Sequence, residues 1–190
     1  MTELKNTYMI MRHGQSEANV ADIVVSDPNI GCDNYGLTPL GKEQARETAF
    51  ASRDKQIDVI YCSDFKRTRE TADIVAHVLS LAPPITDIRL RERYFGAYEG
   101  LSSSSYSEVW EKDALDSTQE ERGVESTMNV RARALAAIAD LERLYTDKVI
   151  LLVSHGDTLQ ILSSAFHNIE SGSHRSLPHH ETGEIKILMR

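Results

Sequence analysis

Two stretches of the chain carry residue types suited to chemistry at matching places. Arg12-His13-Gly14-Gln15-Ser16-Glu17 follows the apolar run Asn6-Thr7-Tyr8-Met9-Ile10-Met11. Ser154-His155-Gly156-Asp157 follows Val149-Ile150-Leu151-Leu152-Val153. Each apolar run reads as a short buried strand. In an open α/β sheet, ligands bind outside the carboxyl ends of the strands. A lone histidine there is most often a loop or capping residue. Two His-Gly pairs at the same kind of edge, one preceded by Arg12, point instead to a site. A neutral imidazole can act as a nucleophile, and a guanidinium fork matches phosphoryl oxygens bidentately. The chemistry expected is phosphoryl transfer.

Two further stretches can complete it. Cys62-Ser63-Asp64-Phe65-Lys66-Arg67-Thr68-Arg69-Glu70 leaves a strand and enters a helix. Arg67 and Arg69 lie near the helix start, where the macrodipole disfavours cations. One of them therefore has an anion to meet, although Glu70 offers an ordinary ion pair. Leu90-Arg91-Glu92-Arg93-Tyr94-Phe95-Gly96 reads as a loop, either a surface salt-bridge cluster or the wall of a charged pocket. A carboxyl group there could protonate a leaving oxygen.

The elements that must position these groups follow from pattern. A loop covers Glu17 to Leu37, with one helical turn near Ala18 to Val24. Thr38 caps a helix with Pro39 at its first position, and Leu40, Ala45, Ala49 and Phe50 supply its apolar side. Ile57 to Tyr61 forms the second strand. The next helix, capped by Ser63 or Asp64, runs to Leu81 and is ended by Pro83-Pro84. Ile85 to Asp87 is an edge strand. Leu101 to Gly123 is a short helical excursion over the site, with Tyr106, Val109 and Trp110 at helical spacing. Glu125 to Tyr145 is the longest helix, with a stripe of Val130, Ala134, Leu135, Ile138, Leu141 and Leu144. Arg131 and Arg133 read as solvated or salt-bridged. A helix to Phe166 follows the second His-Gly pair, then a polar turn, the connection Leu177-Pro178-His179-His180, and a last strand from Glu184 to Met189. This order implies a layered α/β domain in which His13, Arg12, Arg67 and His155 converge.

Whole-chain properties bound the function. The chain has 190 residues, enough for one full core, and 41% are hydrophobic. The formal net charge of -8 lacks the basic footprint of a nucleic-acid binder. A few converging arginines can still attract a small anion. Cys32 and Cys62 form neither a metal spacing nor a disulfide framework. Met1 leads into polar residues without a signal-peptide pattern, and no stretch approaches a membrane span. A cytoplasmic protein with no membrane partner is expected. No compact metal-ligand spacing or P-loop is present, and arginines beside both histidines would repel a cation. No metal and no cofactor are expected. His179-His180 reads as a surface or structural pair.

In these motifs the chain resembles the histidine phosphatase family, also called phosphoglycerate mutase-like. The resemblance runs through nearly the whole chain. Arg12-His13-Gly14 with Asn19 is similar to its signature, and Ser63 to Thr68 to its second arginine motif. Leu90 to Gly96 with Glu99-Gly100 is similar to its acidic motif, and Ser154-His155-Gly156 to its second histidine motif. The resemblance implies a three-layer α/β/α sandwich with a mostly parallel central sheet, as one domain over 1–190 with a lid at about 101–123. It implies that His13 is phosphorylated during turnover. Arg12, Arg67 and His155 then bind the phosphoryl group, and Glu92 donates the proton. Gly14, Asn19, Gly156 and Arg93 become substrate-binding candidates, and either Arg91 or Arg93 could meet a second anionic group or form a surface ion pair.

The expected activity is metal-independent hydrolysis of a small phosphorylated metabolite. The chain carries Gly31-Cys32-Asp33-Asn34-Tyr35-Gly36-Leu37 where mutases of the family carry a longer loop. That favours hydrolysis. A cofactor-dependent phosphoglycerate mutase and a weakly active binding member of the same fold stay open as alternatives, as does a homodimer.

Overall fold

Alternation along the two longest strands explains the layers. The computed structural model describes residues 4–189, so the polar start at Met1 lies outside the described residues. In β1 (Thr7–Arg12), Tyr8 and Ile10 face one core, and Met9 and Met11 face the other. In β4 (Val149–Ser154), Ile150 and Leu152 join the first core, and Leu151 and Val153 the second. A strand buried on both faces needs helices on both sides.

The chain supplies them in order. After β1 come the short α1 (Glu17–Val20) and α2 (Pro28–Gly31), then α3 (Pro39–Ala51). β2 (Val59–Cys62), α4 (Lys66–Leu79) and β3 (Ile85–Thr86) follow. α5 (Tyr106–Leu115) lies between 3₁₀ turns at Ser103–Ser105 and Glu121–Gly123. α6 (Thr127–Leu144), β4, α7 (Gly156–Phe166) and β5 (Ile185–Met189) complete the chain. The strands are ordered β3-β2-β4-β1-β5. Only β5 is antiparallel, running against β1. α6 and α7 pack on the first face, while α3 and α4 pack on the second. This is the three-layer, mostly parallel α/β architecture expected.

Register places the strand ends together. Arg12 is opposite Ser154, and Cys62 is opposite Val153. The next residues, His13, Ser63 and His155, therefore emerge side by side at one edge. Small residues let α3 approach that edge. A Cβ on Gly14 would lie 2.3 Å from Gly41 O, and one on Gly41 would lie 2.0 Å from Gln15 O. Thr38 caps α3 as expected, donating the other way to Gln15 Oε1 at 2.8 Å.

Three expectations on apolar faces and caps need correction. In α3 the inward face is Gly41, Ala45 and Ala49, at four-residue spacing, while Leu40 and Phe50 are exposed. Close backbone approach selects for small residues over large ones there. In α6, Leu144 is exposed and Ala137 takes a core place. α4 has Phe65 at its N-cap position with no side-chain cap bond. Asp64 instead holds Arg91 through two bonds of 2.8 and 2.6 Å.

The 101–123 segment does contain the expected helix. Val109 packs with Val24, Phe95, Tyr98 and Val124 in a third, smaller core. Tyr106 rests edge-on against Phe95, with centroids 4.7 Å apart.

Candidate active site

The centre of the site is His13, 3% exposed, with both ring nitrogens engaged. Nδ1 lies 2.7 Å from Gly14 O, a carbonyl that can only accept, so Nδ1 carries the proton. Nε2 accepts from Arg67 Nε–H at 3.1 Å. Burial, then the Arg67 and Arg12 charges, holds the His13 pKa well below the usual histidine range. The ring is thus a neutral imidazole whose Nε2 lone pair faces cations.

His155 lies beside it, with ring centroids 5.3 Å apart and planes at 66°. Its Nε2 is 3.0 Å from Ser63 Oγ. That oxygen already accepts from the Phe65 N–H, so its own hydrogen is free for Nε2. The remaining Nδ1–H points inward. Burial, followed by Arg67 and His13, also keeps His155 well below its usual pKa.

Arg67 reaches the same point from the first turn of α4. Its Nη2 donates to Val25 O at 3.0 Å, which ties it to the segment crossing above. Arg12 comes from the end of β1. Its Nη1 donates to His180 O at 2.9 Å and lies 3.1 Å from His179 Nε2. The His179-His180 pair is therefore structural, part of the frame around Arg12. Four buried side-chain polar atoms among the described residues have no hydrogen-bond partner. Three belong here: Arg12 Nε, Arg67 Nη1 and His155 Nδ1. Folded proteins leave few such groups. Three donors around one histidine define a place for an oxyanion.

Glu92 faces them from the loop after β3. Its Oε1 accepts from the Arg93 N–H at 2.9 Å and from Thr158 Oγ1 at 3.2 Å. Its Oε2 stands 4.0 Å from His155 Nδ1. Neighbouring arginines alone would favour its ionised form. Burial wins, aided by the charge of Asp157, and the Glu92 pKa is raised despite Arg67, the Arg93 amide and Arg12. Arg133 on α6 anchors this loop from behind. It donates to the carbonyls of Arg89, Arg91 and Glu92 while paired with Glu125.

Two adjoining chambers open onto these groups. A cavity of about 90 Å³ is lined by Arg12, His13, Asn19, Arg67, Glu92 and Tyr106 among others. A second, of about 230 Å³, shares Arg12, Asn19, Glu92 and Tyr106 and adds Trp110, Arg175 and His179. Asn19 spends its Oδ1 on the Ser16 amide and hydroxyl in a capping box, leaving its Nδ2 donors for the pocket. Gly156 begins α7 beside Arg12; a Cβ there would lie 3.3 Å from Arg12 Nε.

Two candidates have other roles in the geometry. Gly14 faces the Gly41 backbone and donates its amide to Thr71 Oγ1, so its smallness serves packing of α3. Arg93 is fully buried and turned away from the pocket cations. Its guanidinium bonds Asp113 at 2.5 and 2.7 Å, Asp157 at 3.3 Å and Glu125 O at 2.6 Å. With its donors so committed, it joins α5 to α7 and does not reach a substrate anion. Sequence reasoning also left out Asp157, whose Oδ1 accepts from Trp110 Nε1 at 3.0 Å and from His174 Nε2 at 2.8 Å. Burial alone would raise the Asp157 pKa, but His174, Arg93 and Arg175 hold it well below the usual range. A carboxylate three residues beyond Ser154, at the first turn of a helix, was the available signal.

Comparison with known proteins agrees with the fold and gives the family. The model of the histidine phosphatase superfamily, branch 1, matches residues 8–189, and the chain belongs to that family. A protein of Photorhabdus laumondii named "Probable phosphoglycerate mutase GpmB" is 34% identical over 173 residues, covering 88% of this chain and 78% of that one. Its namesake from Proteus mirabilis is 32% identical with the same coverage. Among solved structures, a mycobacterial glucosyl-3-phosphoglycerate phosphatase in complex with VO3 superposes with a TM-score of 0.81. It is 25% identical and covers 94% of this chain and 88% of its own. YhfR of Bacillus stearothermophilus has a TM-score of 0.78 at 26% identity, covering 96% and 90%. The chain is thus a phosphatase or mutase of this superfamily.

Proposed function

We propose that the protein is a metal-independent phosphomonoesterase that works through a phosphohistidine. The observation that carries this is the set of three unpartnered donors, Arg12 Nε, Arg67 Nη1 and His155 Nδ1, around the His13 Nε2 lone pair. A phosphoryl group entering there takes the donors onto its nonbridging oxygens and displaces the Arg67 Nε–H from Nε2. His13 Nε2 then attacks phosphorus as the ester P–O bond breaks. Glu92 gives its proton to the departing alkoxide oxygen. In the second step Glu92 takes a proton from water as that water attacks phosphorus, and the P–N bond breaks. The preorganised cations favour the charge distribution of both steps.

The two chambers fit a compact metabolite. Both are smaller than the roughly 300–1,000 Å³ usual for drug-sized pockets. The segment 101–123 acts as the lid in this reading, since Tyr106 and Trp110 wall the outer chamber. Names of the relatives support a mutase as the second reading. A mutase must shield its phosphoenzyme from water while the product reorients, and the short loop before α3 offers little shielding.

Incubation with 3-phosphoglycerate and a trace of 2,3-bisphosphoglycerate decides between them. We expect release of inorganic phosphate with little 2-phosphoglycerate. Isomerisation far faster than phosphate release would establish the mutase.

A further inference from the structure

The outer chamber contains a cation that the proposed chemistry does not use. Arg175, from the 3₁₀ segment Ser171–Ser176, is half-buried. Its Cζ lies 3.8 Å from the centroid of the Trp110 ring. That ring in turn stacks on Tyr106 at 5.4 Å and 13°, and its Nε1 is fixed by Asp157. Among the described residues, Arg175 makes one hydrogen bond, from Nη1 to Gln160 Oε1. Nε and Nη2 are left over. Asp157 is the carboxylate whose field reaches Arg175. Both of its oxygens are already occupied, by Trp110 and His174 on one side and Arg93 on the other. Asp157 is thus already paired with Arg93 and bonded to Trp110 and His174, which leaves Arg175 without a direct carboxylate partner.

We propose that this chamber is a second anion subsite, where Arg175, held over the Trp110 ring, binds a carboxylate or second phosphate on the alcohol half of the substrate. This rests on the phosphomonoesterase reading above and narrows its substrate class. Arg12 lines both chambers, joined by Arg67 in the inner one and Arg175 in the outer one, so each offers guanidinium donors to an anion beside the carboxyl group of Glu92. His179 faces Arg12 through Nε2, which leaves its Nδ1–H as a further donor. An arginine stacked on indole and fixed by an amide has little freedom left to lose, which strengthens each bond it forms to a ligand. A neutral alcohol would leave the Nε–H and Nη2–H donors of that guanidinium without an anionic acceptor.

The test uses matched substrates. 3-Phosphoglycerate against glycerol 3-phosphate reads the carboxylate, and fructose 1,6-bisphosphate against fructose 6-phosphate reads the second phosphate. Wild-type protein should favour the anionic member of at least one pair by about tenfold or more in kcat/KM, mainly through KM, as expected for binding that is equal in ground and transition states. Arg175→Gln should lower that ratio by about tenfold, and Arg175→Lys should restore part of it. No preference in either pair, or a ratio unchanged in Arg175→Gln, would overturn the subsite. Turnover of p-nitrophenyl phosphate tests the phosphatase reading separately. Equilibrium binding of the same pairs to His13→Ala protein gives the ratio without turnover, so failure of hydrolysis leaves the subsite tested on its own terms.

Discussion

Arg67 and Arg93 are both buried, at 4% and 0% exposure, yet their surroundings differ in kind. Arg93 meets two carboxylates and a carbonyl, and its charge is cancelled within the fold. Arg67 meets a histidine nitrogen and a carbonyl, makes no ion pair with the described residues, and keeps one buried donor unpartnered. A cancelled charge holds elements together. An uncancelled one is held ready for an anion that arrives from outside. The difference separates structural arginines from binding arginines more reliably than burial does.

Substitution at these two positions should break the molecule in different ways. Arg67→Gln is expected to lower kcat/KM for p-nitrophenyl phosphate by about 10³-fold or more, as for a donor or cation acting on the transition state. Its thermal midpoint should stay near wild type, because no carboxylate is stranded. A large loss of stability with intact turnover would reverse the assignment. Arg93→Gln strands Asp113 and Asp157, and breaking a buried pair costs about 3–5 kcal/mol. Urea denaturation should show that loss, with activity falling only as far as α5 is released.

Glu92 sharpens the comparison through protons. Its raised pKa keeps the donor protonated above the usual glutamate range, and the lowered pKa of His13 keeps the nucleophile neutral below the usual histidine range. Activity toward an alkyl phosphate should therefore rise through the depressed His13 pKa and fall at higher pH through the raised Glu92 pKa. Glu92→Gln should slow glycerol phosphate by roughly 100-fold, affect p-nitrophenyl phosphate much less, and remove the alkaline limb. Equal losses on both substrates would make Glu92 a structural residue.

The smallest effect concerns stability in acid. The Asp157 pKa is depressed, so its contribution is present above the usual aspartate range and lost as pH falls through the folded value. The thermal midpoint of wild type should drop more steeply on acidification than that of Asp157→Asn. Parallel slopes would remove Asp157 from the role of ionised hub.

The residues at strand ends were legible because local pattern positions them. A buried strand followed by Arg-His-Gly has few other meanings, and parallel register then brings His13 and His155 together. Arg93 and Arg175 were not legible in this way. Arg93 is flanked by the same charged residues whether it faces a substrate or the Asp113 and Asp157 carboxylates, which lie 20 and 64 positions away. Arg175 acquires its place from Trp110 across the chamber. Leu40 and Phe50 were misplaced because the helical period fits several faces. Contact with the Gly14–Gln15 backbone, which selects Gly41, is a tertiary fact.

The central claim is that the His13 Nε2 lone pair, framed by uncancelled donors, becomes covalently phosphorylated. Rapid-quench mass spectrometry under alkaline conditions that preserve acid-labile phosphohistidine measures this directly. During turnover of p-nitrophenyl phosphate, the phosphoryl group should be found on His13, and none should form in His13→Ala. Phosphate located on His155, or steady turnover with no phosphorylated residue at any quench time, would contradict the account.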